Sequence, residues 1–311
     1  MSEKGPVLVI VGPTAAGKSR LALECCESLN GEIVSADSVQ VYRKLDIGSA
    51  KPSQEEQARV RHWCIDLVEP NATFDAAAWA QAARDAIEDI RGRGRVPVVV
   101  GGTGFYIRAL FSGLHAVATV PEDVRLGVRA DLEEQGPAAL HAELAEVDPA
   151  AAERISTTDS QRIGRALEVF RATGAAISSH FEKSLDGTGL VPLTFGLWPS
   201  REILHAAINA RAARMVEDGL VSEVRGLMAA GVPHDCGPLT SLGYRQVVGH
   251  LRDEIPETDL VGAIATAHRQ YARRQLTWFR GITTREHGLE HLDPGDKGCV
   301  ERLREAWLSR R

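Results

Sequence analysis

The chain reads Gly12-Pro13-Thr14-Ala15-Ala16-Gly17-Lys18-Ser19 directly after the apolar, β-branched run Val7–Val11. A helical pattern through Leu21, Leu23 and Leu29 follows. A G-x-x-x-x-G-K-[ST] stretch set between a strand and a helix is a phosphate-binding loop, and it commits the chain to a narrow set of α/β folds. Its glycines let the backbone curl until successive N–H groups point inward at an anion. The opening helix adds positive potential at the same place. Lys18 supplies a full charge to phosphate oxygens, and the Ser19 hydroxyl can reach a Mg²⁺ held by those phosphates. Such a loop reads phosphates and not what they are attached to. An ATP-binding kinase, a nucleotide hydrolase and an enzyme that expels diphosphate all remain open at this point.

The alternation of strand and helix continues beyond the loop. Glu32–Ala36 reads as a second strand, residues 75–91 as an Ala-rich helix, and Val96–Val100 as a third strand that breaks at Gly101-Gly102. This order predicts a parallel sheet with helices on its faces. From Pro121 to about Gly174 only helical periodicity appears. A loop rich in Ser, Asp and Gly (178–189) follows, and Leu193–Trp198 returns as a strand. Residues 200–230 and 259–280 read as long helices. The expected class is α/β, a P-loop parallel sheet flanked by helices with a helical insertion domain. The expected division is 1–117 for the first part of the core, 118–192 for the insertion, and 193–311 for the second part with the C-terminal helices.

Composition narrows the surroundings. A net charge of -6 argues against a wholly basic nucleic-acid coat protein, although a local basic face is enough to bind RNA. No apolar stretch approaches the ~18 residues of a membrane span, and the start of the chain lacks a signal-peptide pattern. The five cysteines form no CxxC pair and are odd in number, which fits reduced thiols in a cytoplasmic protein. A monomer is the expected state.

Several side chains stand where chemistry could occur. Asp37 follows the second strand, beside the expected mouth of the phosphate loop; it either acts there or caps the next helix. Thr103 holds the same place after the third strand, within Gly101-Gly102-Thr103-Gly104. The Asp that usually ends an apolar strand in P-loop nucleotide hydrolases is missing there. Asp66 is the substitute considered for it. Leu204, Ile208, Arg211 and Met215 share one helical face, so Arg211 needs either an internal carboxylate or an anionic ligand. From His268 to Arg285 there are five arginines and no acid. Arg269, Arg273 and Arg280 share a face, interleaved with Tyr271, Trp278 and Phe279, and suit an RNA backbone or a plain basic surface. Leu260, Ile264, Ala267 and Tyr271 form the expected apolar stripe of that helix. Arg162 and Arg165 lie off the apolar face Ile163, Leu167 and Phe170 of another helix.

Taken together, GPTAAGKS (12–19), ADSVQVYRKLDIGSAKP (36–52), GGTGFYIRALFSGL (101–114), DSQRIGRALEVFRATG (159–174), REILHAAINARAARMVEDGL (201–220), SLGYRQVVGHL (241–251) and ATAHRQYARRQLTWFR (265–280) resemble the tRNA dimethylallyltransferase family, in family order over almost the whole chain. The resemblance implies transfer of a dimethylallyl group from dimethylallyl diphosphate to the exocyclic amine of the adenosine 3′ of the anticodon. The tRNA anticodon stem-loop would be the partner, Mg²⁺ the cofactor, and Ser19 a metal ligand. By motif match, Asp37 would be the general base, with Thr103 and Arg211 beside it as catalytic residues. Gly12 to Ser19 would seat the diphosphate with help from Thr14 and Arg211. Asp37, Ser38, Val39, Gln40, Thr103, Arg125, Gln161, Arg162, Ile163, Gly164 and Arg165 would contact the tRNA. The chain departs from the family at Ala207, where relatives often carry an arginine, and at Thr158, where many have an asparagine. The zinc finger of eukaryotic members is absent. A P-loop kinase, a free-adenylate prenyltransferase and an RNA-binding protein with a decayed site are the rival readings.

Overall fold

The computed structural model describes residues 5–114, 120–181, 188–283 and 289–310. Its chain divides into two compact units, Met1–Phe111 with Gly187–Arg311, and Ser112–Asp186.

The first unit is built on one sheet of six parallel strands in the order β3-β2-β4-β1-β5-β6. The strands are β1 (Pro6–Val11), β2 (Gly31–Ala36), β3 (His62–Trp63), β4 (Val96–Gly101), β5 (Val191–Leu197) and β6 (Leu289–Leu292). Residues 7–11 of β1 are fully buried, and every residue of β4 is buried. That is why both read as continuous apolar runs: a parallel strand covered on both faces has no solvent side to alternate toward. Around the sheet lie α1 (Lys18–Leu29), α2 (Gln54–Arg59), α3 (Ala76–Gly92) and α4 (Gly104–Phe111). On one face, Leu8, Ile10, Val98 and Phe195 pack with Leu21 and Cys25 of α1 and, from the C-terminal helix, with Leu303 and Trp307. On the other, Trp79 of α3 is fully buried, donates its indole N–H to the Ser35 carbonyl at 2.9 Å and stacks on Tyr106. Burying a side chain of this size contributes about 1.5–3 kcal/mol.

The second unit holds α5 (Glu122–Val147), α6 (Pro149–Arg154) and α7 (Ser160–Thr173). Gly136 at φ 80°, followed by Pro137, breaks α5 in the middle. Asp159 caps α7 by accepting the Arg162 N–H, and Gly174 ends it in the left-handed region. Val128, Leu140, Leu144, Ile163 and Leu167 make this unit's own core.

The remaining helices of the first unit are α8 (Arg201–Glu217), α9 (Leu220–Ala229), α10 (Tyr244–Leu251), α11 (Glu257–Thr283) and α12 (Cys299–Leu308). The helix expected over 200–230 is therefore two. Gly219 at φ 101° separates them, in a conformation that costs other residues ~1–2 kcal/mol. The strand expected from Leu193 begins at Val191. Strands β3 and β6, two and four residues long, carry too little periodicity to be read from sequence. Arg285 and part of the 178–189 loop lie outside the described residues. Among the described residues, no helix is long and apolar enough to cross a membrane.

Candidate active site

Sheet register sets the site. Val11 of β1 pairs with Gly101 of β4, and Gly101 pairs with Ala36 of β2. Gly12, Gly102 and Asp37 therefore leave the sheet in one row at its carboxyl edge, where ligands bind in open α/β folds.

The phosphate loop occupies the first place in that row. Its backbone turns through Ala15 at φ 63° and Gly17 at φ 88° into α1. The Lys18 ammonium donates to the Pro13 carbonyl at 2.7 Å. Burial, then the Arg211 charge, push the Lys18 pKa down to about 7 against the pull of Asp37. Arg211, on the face of α8 that carries Leu204, Ile208 and Met215, makes no ion pair among the described residues. Its Nε is buried without a hydrogen-bond partner. Burial lowers its pKa, Asp37 raises it and Arg214 lowers it further. Of the two possibilities open for Arg211, an internal carboxylate partner is thus not realised by contact. Two weakly compensated basic side chains beside a loop of backbone donors suit an anionic ligand.

Asp37 caps and faces the cleft at once. Its Oδ1 accepts the N–H of Val39 at 2.8 Å and of Gln40 at 3.2 Å, shaping the turn after β2. The carboxylate also lines a cleft of about 360 Å³ together with Thr14, Lys18, Ser19, Gln40 and Arg211. A second hollow of about 490 Å³ shares Thr14, Asp37, Ser49, Arg211 and Tyr271 with the first. The two meet at Asp37. The phenols of Tyr106 and Tyr271 sense its charge: burial raises both pKa values, that of Tyr271 to about 12, and Asp37 raises them further.

Thr103 joins the row from β4. Its Oγ1 accepts the Ser38 N–H at 3.2 Å, and its own N–H donates to the Ala36 carbonyl. Gln275 of α11 ties the row together. Its Oε1 accepts the Thr14 N–H at 2.8 Å while its Nε2 donates to the Gly102 carbonyl at 3.0 Å. A Cβ on Gly102 would overlap that amide, so only glycine admits the crosslink. Sequence reading missed Gln275. The visible signal was its register: α11 buries Leu260, Ile264, His268, Ala272, Gln275 and Phe279, a stripe that includes two polar residues. The stripe expected through Ala267 and Tyr271 is rotated by a residue, and those two line the second hollow instead.

The other candidates are placed as follows. Phe279 is 1% exposed and packs on Trp198, so it offers no ring to RNA. Arg273 and Arg280 are exposed, and Arg269 bonds Asn209 and Thr266. Asp66 accepts from Lys51 at 2.6 Å. Arg125 donates to the Val120 carbonyl, Arg162 pairs with Asp159, Arg165 with Glu168, and Gln161 is exposed, all within the second unit. Ile163 is buried in that unit's core, and Gly164 beside it is buried too. Ala207 lines a hollow beside the phosphate loop into which Arg214 also projects. For Mg²⁺, the described residues hold no cluster of three or more acidic, His or Cys side chains. Ser19, exposed in the first turn of α1, is the hard-oxygen donor that fits a cation carried by phosphates.

Comparison with known proteins decides the family. Residues 40–282 match the IPP transferase model. The tRNA dimethylallyltransferase of Geobacter metallireducens is 45% identical over 279 residues, covering 89% of this chain and 90% of the relative. This chain belongs to the tRNA dimethylallyltransferase family. The relative from Solibacter usitatus extends the match to 98% of this chain and 97% of its own length, at 40% identity. Among solved structures, the tRNA isopentenylpyrophosphate transferase of Bacillus halodurans aligns with a TM-score of 0.69 and 33% identity, over 98% of this chain and 95% of that one. A eukaryotic dimethylallyltransferase described as acting on tRNA aligns with a TM-score of 0.83 and 26% identity, over 99% of this chain and 80% of that one. The fold of this family is the α/β sheet described above.

Proposed function

We propose that the chain transfers the dimethylallyl group of dimethylallyl diphosphate to the N6 amine of the adenosine 3′ of the anticodon in tRNA, releasing diphosphate. The observation that carries the reading is the position of Asp37, at the junction of a cation-lined phosphate cleft and a second hollow. The bond from C1 to the diphosphate oxygen breaks, the N6–C1 bond forms, and the amine proton passes to the Asp37 carboxylate. An adenine amine is a weak nucleophile whose lone pair is spread into the ring, so a proton acceptor within reach assists the attack. Negative charge grows on the departing oxygens, where the loop N–H groups, Lys18 and Arg211 are aimed. Mg²⁺, held by Ser19 and the phosphates, would add Lewis-acid stabilisation of the leaving group. Extruding a base costs a few kcal/mol, roughly, and least in a loop.

The test is direct. The chain is incubated with dimethylallyl diphosphate, Mg²⁺ and unmodified tRNA, and the digested nucleosides are weighed. A dimethylallyl increment on adenosine is expected. Its absence, with phosphate transferred from labelled ATP to a small acceptor, would overturn the reading in favour of a kinase.

Two further outcomes follow from the residues. In the ligand-free chain Lys18 loses its proton near pH 7, and a bound diphosphate would hold it charged. Relative to a Lys18→Met variant, affinity for inorganic diphosphate is therefore fully present below that pH and weakens above it, by up to about tenfold per unit. Calorimetry in buffers of different ionisation heat should show proton uptake on binding that the variant lacks. Arg273→Ala should weaken tRNA binding and reduce the slope of log affinity against log salt by about 1. An unchanged slope would remove Arg273 from the RNA surface.

A further inference from the structure

Loop 45–52 walls both hollows, through Gly48 and Ser49 on one side and Ser49 to Pro52 on the other. No strand or helix holds it. Glu223 of α9 does. Its Oε2 accepts the backbone N–H of Asp46 at 3.0 Å and of Ile47 at 2.8 Å. Its Oε1 accepts the Gly48 N–H at 3.4 Å and the Tyr244 hydroxyl at 2.7 Å. Three successive backbone donors and a phenol thus converge on one carboxylate, and such charge-assisted bonds are roughly twice as strong as neutral ones. Tyr244 is fully buried and lies so close to Gly48 that a Cβ there would overlap its ring.

The shape imposed on the loop reaches the catalytic row. Ser49 turns its hydroxyl back onto the Leu45 carbonyl at 2.6 Å. The Ser49 and Ala50 carbonyls then both accept from Gln40 Nε2, at 3.2 and 3.1 Å. Ser35 donates to Gln40 Oε1 at 2.8 Å, and the Gln40 N–H is one of the two capped by Asp37. Hydrogen bonds at each end, joined by the loop backbone and by Gln40 itself, thus connect the α9 carboxylate to Asp37.

We propose that Glu223, with Tyr244, is a positioning residue for transfer: it sets loop 45–52, and through Gln40 it fixes the turn that aims Asp37. The proposal rests on the transferase reading above. It gives the DIGSAKP and SLGYRQ stretches one joint task. A carboxylate that served only the loop's own stability would change melting and leave turnover per folded molecule alone.

The experiment uses the full chain, steady-state transfer from dimethylallyl diphosphate to unmodified tRNA, and three variants. Glu223→Gln puts amide hydrogens against the loop's own N–H donors. It is expected to lower kcat about tenfold, with KM for the diphosphate within about threefold, because the phosphate loop is anchored elsewhere. Gln40→Ala should lower kcat similarly, and the double variant should fall no further than either single one. Amide exchange at Asp46 to Gly48 should quicken in Glu223→Gln. Should that variant fail to fold, Tyr244→Phe keeps the carboxylate and its three backbone bonds. It should lower kcat by roughly threefold, a loss again absorbed by Gln40→Ala. Undiminished kcat in the folded Glu223 variant, or losses that simply multiply with those of Gln40→Ala, would overturn the clamp alone. No transfer by the unaltered chain overturns the transferase reading and the clamp with it.

Discussion

Asp37→Asn is expected to lose transfer about as fully as Asp37→Ala, by roughly 10²- to 10⁴-fold in kcat, with tRNA binding near that of the unaltered chain. The pair of variants separates the cap seen in the structure from the proposed role as base. Oδ1 caps the Val39 and Gln40 N–H groups, and an alanine removes that acceptor at a cost of about 1 kcal/mol in stability. Asparagine keeps an acceptor oxygen in the same place but cannot take up the amine proton. If Asp37 mattered only as a cap, the asparagine variant would turn over normally, and the role of base would be refuted. Single-turnover transfer and filter binding of tRNA read the two tasks independently.

Arg211→Ala should cost transfer about 100- to 1000-fold, equivalent to roughly 2.7–4 kcal/mol of lost transition-state stabilisation. Arg211→Lys should recover part of it, since a lysine keeps the charge and loses the planar fork that matches phosphate oxygens. The same substitution by alanine has an opposite consequence for the ligand-free chain. Arg211 contributes to the lowering of the Lys18 pKa, after burial itself, and its own Nε lies buried without a partner. Removing it relieves a cation crowded by a cation, so the ligand-free variant should melt no lower than the unaltered chain. The Lys18 titration should move upward. A clear loss of melting temperature with full activity would mean that Arg211 serves the fold and not the leaving group.

The phosphate loop, the strand before Asp37 and the turn around Thr103 were legible because each is local. A β-branched run ending in glycines needs no partner to be recognised. The register that lines them up is also implied by parallel pairing, although β4 lies between β1 and β2. What escaped reading depends on distant partners. Gln275 is an ordinary polar residue until Thr14 and Gly102 are brought to it across the sheet edge. Glu223 reads as surface charge on an amphipathic helix, because the three N–H groups it collects belong to a loop about 175 residues away in sequence. The break at Gly219 was invisible to periodicity, since α8 and α9 each continue a helical pattern up to it. Phe279 was placed outside because its neighbours are arginines, whereas the helix rotates it against Trp198.

The strand order has a consequence for the reacting groups. Because β4 is inserted between the strands that end in the phosphate loop and in Asp37, the two stand two strand spacings apart, roughly 10 Å. That gap acts as a gauge. In the proposed reaction the electrophilic carbon is bonded to the departing oxygen itself, so a leaving group seated over the first strand and a proton acceptor over the third leave the middle strand's width for that carbon and the incoming amine. The sheet thereby sets the room into which the nucleophile must fit.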